Sequence, residues 1–226
     1  MQIHYYGHST FLIETKGIKL LFDPFISEND KAADINLEDI HADFILVSHG
    51  HGDHIADVES IAKRCNSKVI SNYEISNHFT AKGLDCHPIS HGGKFDFDFG
   101  TVKSVNAVHT SSFPDGSYAG NPAGFVIWND VDTFYFAGDT ALTLDMQLIP
   151  VTCPKLDFAL LPIGDNFTMG YEDAVIASDF IKCDNIIGCH FDTFGYIEID
   201  HAKAIECFES KGKKIILPKI GQQVNI

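Results

Sequence analysis

Residues 48–54 read Ser-His-Gly-His-Gly-Asp-His, which puts His49, His51, Asp53 and His54 at i, i+2, i+4 and i+5. Imidazole and carboxylate together form the donor set expected for Zn, Mn or Fe, whereas Ca and Mg favour all-oxygen sites. Gly50 and Gly52 let the backbone bend tightly between the donors. In a loop at a strand end, this spacing turns the side chains toward two nearby points. The chemistry suggested is that of bound transition metals.

Such a loop needs a rigid element before it. The segment Asp43-Phe44-Ile45-Leu46-Val47 is a short continuous apolar run, as in a strand covered on both faces. Around it, short strands and helices follow one another. Tyr5–Glu14 and Ile18–Phe22 read as strands flanking a turn at Thr15-Lys16-Gly17. Val58–Cys65 has helical spacing, Lys68–Ile70 is a short strand, and Tyr73–Lys82 is a helix ended by Gly83. Lys94–Phe99 alternates apolar and polar residues with a period of two, and Thr101–Val108 returns beside it. Phe125–Trp128 and Thr133–Ala137 form another hairpin across Asn129-Asp130. Leu142–Leu148 reads as a helix, Phe158–Pro162 as a strand and Glu172–Lys182 as a helix. Asn185–Cys189 is a strand and Asp200–Ser210 a helix. Lys214–Leu217 and Gln223–Ile226 are the last strands. The hairpins disfavour a single parallel sheet. The pattern predicts an α/β fold of two mixed sheets packed together, with helices outside, in one domain spanning residues 1–226.

Composition fits a folded chain. Of 226 residues, 45 % are hydrophobic and 21 % charged, which excludes a disordered polypeptide. No apolar run approaches the roughly 20 residues that span a bilayer. The start, Met1-Gln2-Ile3-His4-Tyr5-Tyr6, lacks the basic and apolar regions of a signal peptide, so a cytoplasmic location is expected. The six cysteines form no CxxC pair and read as reduced thiols. The net charge of -15 repels phosphate backbones and argues against nucleic-acid or membrane partners. Twelve histidines stand out, and position separates them.

An HxHxDH motif after an apolar strand resembles the metallo-β-lactamase superfamily, a four-layer αββα sandwich with a two-metal site along one sheet edge. The resemblance covers essentially the whole chain and implies further ligands at strand ends: His109 after Val105–Val108, Asp139 within Ala137-Gly138-Asp139-Thr140, and His190 after Ile186–Cys189. It implies that His49, His51 and His109 hold one divalent transition metal, Zn or Mn. Asp53, His54 and His190 would hold a second, and Asp139 would bridge them. Asp23, in Asp23-Pro24-Phe25, is expected to brace the motif by hydrogen bonds rather than to bind metal. Gly7-His8-Ser9 and the segment Pro162–Gly170 strengthen the likeness to a group of bacterial metal-dependent hydrolases similar to the ascorbate-phosphate lactonases.

The implied activity is hydrolysis of a lactone, ester or phosphodiester in a small molecule by a hydroxide held on two metals. Asp53 would accept the proton from that water. His8 would sit at the site edge to donate a proton or orient a ligand. Asn166, Thr168 and Ser111 are candidate substrate contacts. Cys189 reads as a small core residue, and His4, His41, His78, His87, His91 and His201 have no place in the motif set. Three rivals are weighed. A di-iron oxygen or nitric-oxide reductase usually carries Glu where this chain has His51, together with a flavin domain for which no residues remain. A nuclease conflicts with the acidic charge. A non-catalytic metal-binding scaffold has no need of all seven ligands. Offset by bound cations, Asp53 and Asp139 leave an anionic small molecule possible as substrate; a homo-oligomer is also possible.

Overall fold

The computed structural model describes residues 1–225. The first part of the chain supplies β1 (Gln2–Gly7), β2 (Thr10–Thr15), β3 (Ile18–Phe22), β4 (Phe44–Leu46), β5 (Lys68–Ser71) and β6 (Cys86–Pro88). These pair in chain order, antiparallel from β1 to β3 and parallel from β3 to β6. The second part supplies β7 (Lys94–Phe97), β8 (Gly100–Asn106), β9 (Ala123–Trp128), β10 (Thr133–Phe136), β11 (Phe158–Pro162), β12 (Asn185–Cys189) and β13 (Lys214–Ile216). They form a second sheet, antiparallel from β7 to β10 and parallel from β10 to β13. The last strand, β14 (Gln223–Val224), crosses back and pairs antiparallel with β1. Ile226, the end of the expected last strand, lies outside the described residues.

Alternation along the strands explains the layering. Leu20 and Phe22, Leu46 and Ile70 face the second sheet, where Phe125, Phe134, Phe136, Phe158 and Leu160 meet them. Their neighbours Leu21, Ile45 and Val69 point the other way, onto α2 (Val58–Cys65) and α3 (Tyr73–Ala81). On the far side, Tyr135, Ala159 and Leu161 pack under α5 (Tyr171–Phe180) and α6 (His201–Glu209). Strands buried on both faces must be apolar throughout, which is why β4, β10 and β11 read as continuous hydrophobic runs. The result is the expected four-layer αββα sandwich with two mixed seven-stranded sheets. No described helix is long and apolar enough to cross a membrane.

Three local readings change. Tyr5–Glu14 is two strands joined by a tight turn, because Gly7 (φ +106°) and His8 (φ +54°) reverse the chain. The expected helix over 142–148 is a 3-10 segment, Leu144–Leu148, followed by the single helical turn α4 (Ile149–Thr152). Pro150 lacks the N–H that would carry one continuous helix through this point. β6 is unexpected; its Pro88 is tolerated because β6 is an edge strand.

The pairing directions fix where the loops gather. β3 and β4 run parallel, and β2 runs against β3, so the β1–β2 turn lies beside the ends of β3 and β4. In the other sheet β8, β10, β11 and β12 all run the same way. Their C-terminal loops therefore emerge together.

Candidate metal centre

β4 ends at Leu46 and delivers Val47 and Ser48 into the histidine motif. The motif is only half loop. His51 starts a single helical turn, α1 (Gly52–Ile55), which carries Asp53 and His54. Asp23 ties this segment down. Its Oδ1 accepts from the Ser48 N–H at 2.7 Å, and its Oδ2 accepts from Ser48 Oγ at 2.5 Å. His54 Nδ1 lies 2.8 Å from the same Oδ2, so the carboxylate fixes the imidazole with Nε2 turned inward. Ser48 Oγ also meets His49 Nδ1 at 2.9 Å. The structure thus brings Asp23 against the motif and away from the cleft.

The remaining donors arrive from the other sheet. His109 follows β8, Asp139 follows β10 and His190 follows β12. Asp139 Oδ2 lies 2.9 Å from His190 Nε2, 3.3 Å from His54 Nε2, 3.6 Å from His109 Nε2 and 3.9 Å from His49 Nε2. Around this carboxylate the donors fall into two sets, each with its ligand atoms within 4.8 Å of one another. His49, His51 and His109 make one; Asp53, His54, His190 and His8 make the other.

His8 is not at the edge of this cluster but inside it, fully buried. The left-handed turn that splits β1 from β2 aims its ring inward, and the His190 N–H donates to the His8 carbonyl at 2.9 Å. Nδ1 of His8 meets Thr193 Oγ1 at 3.0 Å, while Nε2 lies 3.2 Å from Asp53 Oδ2 without hydrogen-bond alignment. Asp23 (φ +41°) and His190 (φ +55°) share the left-handed conformation. Such backbone strain, on the order of 1–3 kcal/mol per residue, gathers where the surroundings over-determine it, as at functional sites.

The donor atoms fit a metal. His8 Nε2 and His54 Nε2, which face the other donors, are buried without any hydrogen-bond partner. Each such orphan costs about 1–3 kcal/mol unless something satisfies it. A nitrogen-rich set with carboxylates suits a transition metal rather than Ca or Mg. Charge agrees. Burial pushes the His49, His51 and His109 imidazoles below the ordinary histidine value, leaving them neutral donors at pH 7. His54 goes the other way: burial lowers it, but Asp139 and Asp23 outweigh burial and raise it well above the usual value. Burial pushes Asp53 and Asp139 up, yet neighbouring imidazoles (His8 and His54 for Asp53, His190 and His54 for Asp139) hold both below the usual carboxylate range.

A cleft of about 290 Å³ opens onto the cluster, lined by His51, Asp53, His109, Thr110, Asp139, Phe167, His190 and Phe194. Among the expected substrate contacts, Ser111 does not line it: its Oγ accepts from the Gly50 N–H and donates to the Ala119 carbonyl, bracing the loop. Asn166 and Thr168 flank Phe167 without lining the cleft themselves. Thr110, Phe167 and Phe194 went unmarked in the sequence, and the aromatic pair carries no signal there that separates it from core residues.

Gly164 sits where the loop after β11 passes His190. A Cβ there would lie 2.0 Å from the His190 carbonyl oxygen. Gly164→Ala is therefore expected to displace His190, lowering stability by about 1–3 kcal/mol and weakening metal retention. Thermal melting and elemental analysis of the variant check this; wild-type values for both would contradict it.

Two packed sheets with a histidine and aspartate cluster at the loop edge define a metallohydrolase fold. The beta-lactamase superfamily domain model matches residues 2–190, and the chain belongs to that superfamily, among the UPF0173 metal-dependent hydrolases. It is 56 % identical to such a hydrolase from Christiangramia forsetii, with 100 % of each chain covered. It is 44 % identical to another from Methylacidiphilum infernorum, with 99 % of each covered. Igni18, a metallo hydrolase from Ignicoccus hospitalis, superposes with a TM-score of 0.89 at 31 % identity, over 99 % of this chain and 97 % of that one.

Proposed function

We propose that this metal-dependent hydrolase is dinuclear and cleaves a lactone, ester or phosphodiester bond in a small molecule. The observation that supports the reading is the position of Asp139 Oδ2, between His49 and His109 of one donor set and His54 and His190 of the other, which also holds Asp53 and His8. When bound, a pair of Zn or Mn ions supplies an activated water and polarises the bond to be cleaved. Asp23 and Ser48 hold the motif in place. Asp53 faces the cleft, is ionised at neutral pH and accepts the proton that the attacking water gives up. His8 packs behind Asp53, with its Nε2 3.2 Å from the carboxylate. Burial pushes His8 down to about 4, so it stays neutral over the working range.

The test is a hydrolase screen of lactones, esters and phosphodiesters with Zn and Mn supplied separately, alongside metal analysis. About two metals per chain and turnover that chelation abolishes are expected. A protein that retains no transition metal contradicts the proposal.

The pH dependence follows from the same residues. Histidines with depressed values stay unprotonated in the folded chain while their unfolded counterparts bind protons below pH 6.5. Stability therefore rises with pH in this range, and acid erodes it between pH 6.5 and about 4. Ligation needs neutral imidazole, so activity falls in the same direction. A stability and activity profile that stays flat down to about pH 4 would count against this assignment.

A further inference from the structure

The walls of the cleft are more selective than its floor. Above the metal-binding side chains the rim is Thr110, Phe167 and Phe194. Among the described residues no lysine or arginine lines it. Phe167 is 49 % exposed and Phe194 is 38 % exposed. Apolar rings held at a cleft mouth, rather than scattered singly over the surface, mark a ligand-contact surface.

Both rings are held by built turns. Phe167 stands at the tip of the loop closed by the Gly164–Gly170 bridge, where Asp165 (φ +60°) and Asn166 (φ +52°) turn the chain and the Asp165 N–H donates to the Met169 carbonyl at 3.2 Å. Phe194 lies in the turn after His190, closed by Asp192 N–H to the Ile197 carbonyl at 2.8 Å and by Ile197 N–H to the Phe194 carbonyl at 3.0 Å. Its ring meets His8 edge-on at 5.4 Å between centroids and leans on Phe25 at 6.3 Å. Tyr196, in the same turn, meets the Phe167 ring edge-on at 6.2 Å. The two loops thus offer aromatic surfaces in fixed positions.

We propose that the cleft takes a small substrate whose group remote from the scissile bond is uncharged and aromatic or apolar, packed against Phe167 and Phe194. This rests on the dinuclear hydrolase reading and narrows it. Any negative charge on the substrate is then confined to the reacting centre, next to the bound cations. A phosphate or carboxylate farther out meets no cation on the cleft wall and faces a chain whose net charge is -15. The cleft volume of about 290 Å³ suits a molecule of about one ring plus the group cleaved.

Binding of three phosphonates to the metal-loaded protein, measured by calorimetry, tests this. Methylphosphonate presents only the group that the metals take. Benzylphosphonate adds a ring, and 4-phosphonobutyrate adds a remote carboxylate. Benzylphosphonate is expected to bind about tenfold tighter than methylphosphonate, and 4-phosphonobutyrate no tighter. Phe167→Ala and Phe194→Ala should each shrink the benzyl-to-methyl ratio, and Phe167→Leu should shrink it less. Metal content of each variant shows whether the centre is intact. A ratio near one, a ratio that survives both alanine variants with metals retained, or tightest binding by 4-phosphonobutyrate overturns the proposal while leaving the hydrolase reading standing. Failure of all three to bind a fully loaded protein rejects both.

Discussion

Asp139→Ala is expected to strip at least one metal and to lower turnover by more than about a hundredfold. The lower bound follows because changing groups that only support a ligand already costs about 10- to 100-fold, and Asp139 is central to both donor sets. Its Oδ2 lies within 3.9 Å of four imidazole nitrogens. Its contacts are with the other donors of the centre rather than with the backbone of either sheet. The variant should therefore stay folded while elemental analysis shows one metal or fewer per chain. A variant that keeps two metals and near-normal turnover would remove the bridging role.

The second large effect is expected at a residue that does not face the cleft. Asp23→Asn preserves size but changes what Oδ2 offers. In the native chain a carboxylate oxygen faces His54 Nδ1 at 2.8 Å and Ser48 Oγ at 2.5 Å. An amide nitrogen in that place donates rather than accepts, which favours the tautomer with the proton on Nε2, the atom needed for metal. If the amide turns the other way, the Ser48 N–H loses its acceptor instead. Either orientation leaves one buried group mispaired, at about 1–3 kcal/mol. We expect a 10- to 100-fold loss of metal affinity with a measurable fall in melting temperature. Metal titration of the purified variant decides it: an unchanged affinity would mean that Asp23 does not set the His54 tautomer.

The parts legible in the sequence share one property: their signal is local. The motif at 49–54 is contiguous; His109, Asp139 and His190 are implied only by the family resemblance, at the ends of apolar runs. The layering follows from alternation, as at Leu20, Leu21 and Phe22, which face the inner core, the helices and the inner core in turn. What escaped depends on assembly. His8 reads as an edge residue because its burial is created by a left-handed turn and by a backbone bond to His190, neither of which leaves a local pattern. Ser111 looks like a substrate contact until the Gly50 loop is laid against it. Phe167 and Phe194 look like core aromatics, and only the folded loops reveal that they stand at a cleft. The apolar spacing over 142–148 suggests a helix, where the chain instead forms a 3-10 segment before Pro150.

The pairing of β14 with β1, and of His190 with His8, bears on how the molecule is made. The hydrogen-bonded partners His8 and Thr193 are 185 positions apart, and both halves of the chain supply donors to the same cluster. In the first sheet β1 takes its outer partner, β14, from the last residues described, and neither donor set is complete without the second sheet. The metal centre is thus among the last features to form. Once loaded, it clamps the beginning of the polypeptide to its end, so a chelator should hasten global opening and proteolytic attack even far from the cleft.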